Sequence, residues 1–413
     1  MTVNDSSISF ENTELAFKYK GDKDLKQARM LFSLMAKPLL VKLGTHLTPW
    51  AIRNKLPVKG LVRSTIFRQF AGGETLQETA RVAELLGKYQ VQVILDYAVE
   101  GGDNSEADFE QAAGEFMKVI DYAATQPNIP FMSIKVTGLS RFALLDKMNS
   151  LMRREAGGLI PRLETALVNL TAAEREEWER LSSRLHTICE KAREKKVGML
   201  IDAEETWIQD PMDALLMQMM EKFNRERAVI YNTIQLYRHD RLEFLRESHR
   251  AASENGYILG MKLVRGAYME KERNRALAMN YPSPIQADKK NTDRDFDESV
   301  RFCIEHIDRI STIISTHNEN SNLLGARLLQ EKGLPANHPH VHFSQLFGMS
   351  DNITFNLAHA GCNVSKYLPF GPIEDVIPYL MRRAEENTSV GGQTGRELGL
   401  INREFRRRHG EVS

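Results

Sequence analysis

The chain has 413 residues, in which 55 Lys and Arg balance 55 Asp and Glu, so its formal net charge is zero. That length allows one large barrel with appendages or two domains, and the neutrality removes any global electrostatic case for nucleic acid as a partner. Three cysteines, Cys189, Cys303 and Cys362, stand far apart without CxxC spacing; they argue against a disulfide framework or zinc knuckle and for a reducing, cytoplasmic setting.

The opening Met1–Asp5 is polar and acidic, unlike a secretory signal or an Arg-rich transit peptide. No run approaches the ~20 apolar residues of a spanning helix. Residues 1–90 read as a basic helical arm. From Lys18 to Arg68 there are twelve Lys/Arg against two Asp. Helices packed on a core with basic outer faces would explain this; so would peripheral contact with the inner face of a membrane. Thr75–Tyr89 then reads as a helix, with Leu76, Val82, Leu85 and Leu86 on one side.

From residue 91 to 390 short β-branched or apolar runs alternate with charged, helix-periodic segments. The strand candidates are Val91–Leu95, Phe131–Val136, Gly198–Ile201, Val229–Ile234, Tyr257–Val264, Thr312–Ser315, Val341–Leu346 and Asn363–Leu368. Between them lie helices such as Phe109–Ala123, Met212–Arg225, Arg241–Ala252, Asp295–Ile310 and Leu323–Lys332. Eight such units predict an α/β fold of the (β/α)₈ TIM type, with a doubly wound sheet as the rival. The long connection at 140–197 holds two further helical stretches, Arg141–Arg154 and Ala172–Lys195, and reads as a helical insertion after the second strand. Asn280–Thr292 is a candidate mobile lid. Residues 391–413 read as a basic tail that frays over Arg403–Arg408.

A (β/α)₈ enzyme builds its site at the C-terminal strand ends. Those ends carry Asp96 and Glu100, Lys135, Asp202 and Glu204, Gln235 and Tyr237, Lys262, Arg265 and Tyr268, Thr316, His317 and Asn318, Gln345, and Tyr367. Ionisable groups inside apolar strands are costly unless paired, so their recurrence is informative as a set. Lys262-Leu263-Val264-Arg265-Gly266-Ala267-Tyr268 sets two cations about a Gly-Ala pair that lets backbone approach a flat ligand. Tyr367-Leu368-Pro369-Phe370-Gly371 ends a strand and turns into a helix, with Pro372 suited to its first turn. Two turns on, Arg382 and Arg383 can reach one object from two sides, and a guanidinium matches a carboxylate bidentately. A solvated face with Arg382→Glu386 spacing is the plain alternative.

YLPFG followed by YLMRRAEEN resembles the C-terminal signature of proline dehydrogenases, the monofunctional FAD-dependent kind. Further blocks match in order, from Asp96 to Asn387: Ser133-Ile134-Lys135, Leu200-Ile201-Asp202-Ala203-Glu204, Gln235-Leu236-Tyr237, Lys262–Tyr268, Thr316-His317-Asn318 and Phe343-Ser344-Gln345-Leu346. The resemblance implies oxidation of L-proline to Δ1-pyrroline-5-carboxylate by hydride transfer from C5 to flavin N5, with electrons passed to a membrane quinone. It implies Asp202 and Lys262 as catalytic residues. Substrate binding would fall to Lys135, Leu263, Tyr268, Leu346, Tyr367, Arg382 and Arg383, and Tyr367 would fill the space of a ring hydroxyl and favour proline over hydroxyproline. FAD would be held by Asp202, Ala203, Gln235, Lys262, Val264, Gly266, Ala267, Tyr268, Thr316, His317 and Asn318. Some relatives carry Arg then Lys where this chain has Lys262 then Arg265. No side chain accepts a hydride, so a cofactor is required, and Gly391-Gly392-Gln393-Thr394-Gly395 follows a helix and is no phosphate fingerprint.

Two rivals remain on the residues. His338, His340 and His342 alternate and could bind metal in a TIM-barrel hydrolase, although they enter their strand at the N-terminal end. Asp202-Ala203-Glu204-Glu205 allows a glycosidase reading, with Glu100 as a possible second carboxylate.

Overall fold

A computed structural model describes residues 8–54, 56–98, 105–389 and 393–410. Glu100, Gly391, Gly392 and the Met1–Asp5 start lie outside the described residues, as do the side chains of Glu386 and Asn387.

Eight parallel strands follow one another around a closed barrel: β1 (Gln92–Tyr97), β2 (Phe131–Ile134), β3 (Gly198–Ile201), β4 (Ile230–Gln235), β5 (Leu259–Val264), β6 (Ile310–Ser315), β7 (Val341–Leu346) and β8 (Val364–Phe370). Both strand faces are covered, and β3, β4 and β8 are buried along their full length, as parallel sheets require. The expected strands therefore stand, with ends shifted by a residue or two. β2 is shorter than expected because Val136–Gly138 forms a 3₁₀ turn, closed by Gly138 N–H donating to Lys135 O at 3.1 Å.

The chain divides into two compact units, one of residues 1–98 with 343–413 and one of residues 99–342. In the second, the connections are α7 (Glu106–Ala124), then α8 (Phe142–Met152), α9 (Leu159–Val168) and α10 (Ala172–Lys195), then α11 (Thr206–Phe223), α12 (Arg241–Asn255), α13 (Met269–Met279), α14 (Lys289–Glu305) and α15 (Glu319–Glu331). Helix α10 packs on α7 and β3 as the crossover helix, so the extra material of the insertion is α8 and α9, which pack on α11. Its start carries a full capping box, Thr171 with Glu174. The lid expected at Asn280–Thr292 is pinned instead. Ile285 bridges to Arg238, Gln286 N–H donates to Tyr237 O at 2.6 Å, and from Lys289 the chain is already helix under an Asp288 cap.

The first unit holds α1 (Thr13–Phe17), α2 (Asp22–Met35), α3 (Pro38–Arg53), the short α4 (Lys59–Val62) and α5 (Arg68–Phe70), and α6 (Leu76–Gly87), with α16 (Asp351–His359), α17 (Ile373–Ser389) and α18 (Gln393–His409). The tail does not fray. Leu400 and Ile401 of α18 join a core with Phe17, Phe32, Phe70, Val376 and Leu380. Glu404 is fully buried between Arg407 and Arg408, and Arg408 reaches the carbonyls of Phe17 and Lys20. Arg403 and Arg408 also pair with Glu11 and Asp22 of the N-terminal segment.

A buried ionic cluster ties this unit together. Lys366 of β8 donates to Asp351 at 2.9 Å, Asp351 accepts from Tyr19 Oη at 2.8 Å, and Lys20 lies 3.7 Å away. Glu397 of α18 accepts from the N–H of Ser350, the residue before Asp351, at 2.5 Å. Burial, with the Asp351 charge adding to it, pushes the Glu397 carboxyl up to about 7 from its ordinary 4.5. The folded chain holds a proton there that the unfolded chain releases near 4.5. Stability from this group is therefore complete below that value and is lost as pH rises to about 7. Glu397→Gln keeps an acceptor and removes the ionisation. Its gain in Tm over the parent chain is expected to widen between about pH 5 and about pH 8 in thermal melts; a pH-independent difference would refute the assignment.

Candidate active site

Side chains alternate across a strand, and partners in register share a face. In β2 to β6 that rule lines up Ser133 and Lys135, Leu200 and Asp202, Thr233 and Gln235, Lys262 and Val264, and Ile313 and Ser315 on one side. Below them Phe131 stacks edge-on against Tyr231 at 5.7 Å and against His342 at 5.0 Å, and Tyr231 shares a hydrogen bond with Ser311. This aromatic layer floors the polar one.

Asp202, just past β3, is the hub. Its carboxylate accepts from Lys262 Nζ at 2.5 Å and from Ser133 Oγ at 2.8 Å, and lies 3.7 Å from Lys135 Nζ. The Lys262 side chain is 6% exposed, Lys135 12% and Asp202 15%. Two ammonium groups thus share one carboxylate where little water competes, leaving the cluster a net positive charge. Asp202, Lys262 and Lys135 come together as expected. Ser133 does too; it was given no role on sequence, although it stands two residues before Lys135 on the same face.

Glu204 forms a second layer. Both of its oxygens accept from Thr137 Oγ1, at 3.0 and 2.8 Å. Burial raises its pKa to about 7, against the opposing pull of Lys135. Gln235 donates to Glu204 O at 2.7 Å, and a chain of buried partners runs on through Gln209 and Asp213 to Arg241. Gln235 is therefore fixed by the β3–α11 turn.

Past β5, Arg265 is held from three sides. It donates to Asp293 at 2.8 Å, Thr316 Oγ1 at 2.5 Å and Ser321 Oγ at 3.0 Å, and its guanidinium lies over the Phe296 ring. Asn318 caps α15 by accepting from Ser321 N–H, and Thr316 Oγ1 accepts from Asn318 N–H. Thr316 and Asn318 thus meet Arg265 at the positive end of a helix, with His317 partly exposed between them. Gly266 has φ +132°, and a Cβ there would sit 2.5 Å from the Tyr237 ring. The packing of the Tyr237 ring therefore demands glycine at this position. Gly266 and Ala267 are exposed, Tyr268 is partly so, and Ala203 beside Asp202 is half-buried. Leu263 falls on the opposite face of β5 and is fully buried, so the register does not bring it toward Asp202.

In the other unit, Leu346 and Tyr367 are register partners of β7 and β8, and Asp96 of β1 faces the same way beside Pro369. Gln345 does not join them. With Lys366 it points to the helix layer, accepting from Thr354 Oγ1 at 2.8 Å. Gly371 turns the chain with φ +141°, and α17 begins at Ile373, one residue later than expected, with Pro372 offering its carbonyl to Val376. Arg383 is 7% exposed with its guanidinium over the Tyr379 ring, and Arg382 is half-buried. Neither arginine is turned out to bulk water.

The histidines form no joint site. His340 Nδ1 bonds to Ile307 O, His338 Nδ1 accepts from His340 N–H, and His342 is buried in the aromatic floor with its pKa lowered by burial to about 3. Among the described residues no three His, Cys, Asp or Glu are grouped to hold a metal. The hydrolase alternative is not favoured.

Fold and site define a (β/α)₈ barrel with a lysine–carboxylate cluster at its strand ends. The family model described as Proline dehydrogenase matches residues 79–396, and the chain belongs to the proline dehydrogenase family. Its relatives include the carbapenem antibiotics biosynthesis protein CarD of Pectobacterium carotovorum subsp. carotovorum, 33% identical over 85% of this chain and 86% of that one. Proline dehydrogenase 1, mitochondrial, of Arabidopsis thaliana is 31% identical over 93% and 83%. Among solved structures, proline utilization A (PutA) of Bdellovibrio bacteriovorus, inactivated by N-propargylglycine, superposes with a TM-score of 0.69 at 19% identity. That match covers 94% of this chain and 40% of the PutA chain, and shows the fold. The mitochondrial relative overturns the cytoplasmic location expected from the cysteines, which bear only on redox state. Among the described residues no helix is long and apolar enough to cross a membrane.

Proposed function

We propose that the chain oxidises L-proline to Δ1-pyrroline-5-carboxylate with FAD as cofactor, and that a membrane quinone takes the electrons. The observation that carries this reading is Asp202 held between Lys262 and Lys135 in a chain of the proline dehydrogenase family. The residues fit a flavin dinucleotide: exposed Gly266–Ala267 backbone next to buried Lys262, and the Arg265–Thr316–Asn318 corner for an anionic diphosphate. Bound there, FAD would supply the hydride acceptor that no side chain can provide.

The roles of the chain's own groups follow from their charge and burial. Arg382 and Arg383 bind the substrate carboxylate and orient the ring; Tyr367 and Leu346 bound the ring and Tyr268 closes on it. Lys262 holds fixed positive charge, oriented by Asp202, where negative charge develops. Lys135 shares that carboxylate and adds to the cationic field. Gln235, Ala203, Val264 and His317 contribute to holding the cofactor. A spectrum of the pure protein tests the proposal. A flavin band that bleaches anaerobically on adding L-proline is expected; a protein that stays colourless after incubation with FAD overturns it.

A further inference from the structure

Helix α13 is seated without an apolar seam. Its buried residues are Glu272 and Ala276, whereas Met269, Leu277 and Met279 are 39, 81 and 62% exposed. Area removed from water therefore does little to place this helix; directional contacts place it. The fully buried Glu272 carboxylate accepts from Thr206 N–H and from Thr206 Oγ1, both at 2.7 Å. Thr206 opens α11, and the residue before it, Glu205, gives its carboxylate to Lys271. Glu272 thus caps α11 from α13, with its negative charge at the positive end of that helix. The Lys271 and Arg275 cations lie over the Trp207 ring, 5.7 and 4.3 Å from its centroid.

This seat bears on the site from both sides. Thr206 follows the turn that carries Asp202, Ala203 and Glu204. On the α13 side, Glu272 N–H donates to Tyr268 O at 2.9 Å, so Tyr268 and Glu272 share the first turn of the helix. Gly266 and Ala267, which lead into Tyr268, are exposed. The place of Tyr268 relative to the Asp202 cluster is therefore set through Glu272 and Thr206. The insertion holds Thr206 from the other side. Arg153, at the end of α8, donates to Thr206 O at 2.8 Å, and buried Asn149 accepts from Asp210 N–H at 3.0 Å. Arg162 of α9 donates to the Asp210 carboxylate at 2.7 Å. The first turn of α11 is thus fixed by α8 and α9, and Glu272 ties α13 to it.

We propose that Glu272 is a positioning residue for proline oxidation, whose two bonds to Thr206 set Tyr268 where it closes on the substrate ring. This rests on the reading of the chain as a proline oxidase. The test uses the full FAD-loaded chain, with rates expressed per bound flavin. Glu272→Ala is expected to raise the KM for L-proline about tenfold, with kcat falling less. Glu272→Gln should bring KM back to within about twofold of the parent, because its amide oxygen can accept from Thr206 N–H while its NH2 donates to Thr206 Oγ1. In a Tyr268→Ala background, Glu272→Ala should add nothing further to KM, since its effect passes through that ring. A role confined to stability would lower Tm and flavin content and leave KM as it was. Should Glu272→Ala not fold, Thr206→Val carries the test: it removes the hydroxyl, keeps the N–H, and should raise KM about threefold. An unchanged KM in Glu272→Ala or in Thr206→Val overturns the proposal. So does a Glu272→Gln variant no better than Glu272→Ala, or a full Glu272→Ala effect persisting without the Tyr268 ring. A parent flavoprotein that L-proline does not bleach overturns the enzymatic reading and this inference together; a parent that bleaches, with variants unaltered, overturns this inference alone.

Discussion

Replacing Arg382 with Met is expected to raise the KM for L-proline about a hundredfold while flavin content and thermal stability stay near those of the parent chain. Arg382 is half-buried on α17, so a thioether of similar length can occupy its path. What is lost is charge and the planar fork. Hydrogen bonds to an ionised group contribute roughly 1.5–3 kcal/mol each, and a bidentate pair sits at the upper end of that range. A loss near 2.7 kcal/mol is about a hundredfold in affinity. Arg383 should behave differently. It is buried against the Tyr379 ring, so Arg383→Met costs stability as well as substrate affinity. An unchanged KM for Arg382→Met would show that the carboxylate is held elsewhere.

Which parts of this picture could be read from residue order depends on how locally each was encoded. The barrel was legible because strands buried on both faces are short, apolar and regularly spaced. The lysine–carboxylate cluster was legible because Lys135, Asp202 and Lys262 interrupt such strands at one end. Lys366 carries the same signal, a charge inside a buried strand. Its explanation is a structural ion pair with Asp351, fifteen positions earlier, a proximity that only the fold creates. The same long-range effect turns Gln345 away from the site and gives Gly266 a partner in Tyr237. Helix α9 was not expected: Gly157 and Gly158 stand just before it and Pro161 within it, but Pro161 sits in its first turn, where proline is tolerated. Helix α13 was missed because charge on all sides hides its periodicity. The frayed tail was the opposite error: its arginines read as solvated, and their acidic partners lie almost four hundred residues away.

Removing the carboxylate of Asp202 should be the most damaging change in the cluster. Asp202→Ala leaves Lys262 and Lys135 with no shared anion and removes the acceptor for Ser133 Oγ. Breaking a buried pair by deleting one partner costs about 3–5 kcal/mol, mostly through the stranded charge. Lys262, 6% exposed, cannot recover much water, so it must shed its proton or move. Either response takes positive charge from the place the proposed reaction needs it. A fall in kcat/KM of a thousandfold or more is therefore expected, with weakened retention of flavin. Asp202→Asn keeps the shape and an acceptor toward Lys262 and Ser133 but not the charge, and should fall between the two. The double variant Asp202→Ala/Lys262→Met decides how the loss arises. It removes the stranded ammonium together with its partner, so stability should partly return while turnover does not. If turnover returned with stability, Lys262 would have no role beyond holding Asp202. If Asp202→Ala alone left both the melt and the rate unchanged, the cluster would be ordinary surface electrostatics, and the reaction would have to be placed elsewhere on the barrel.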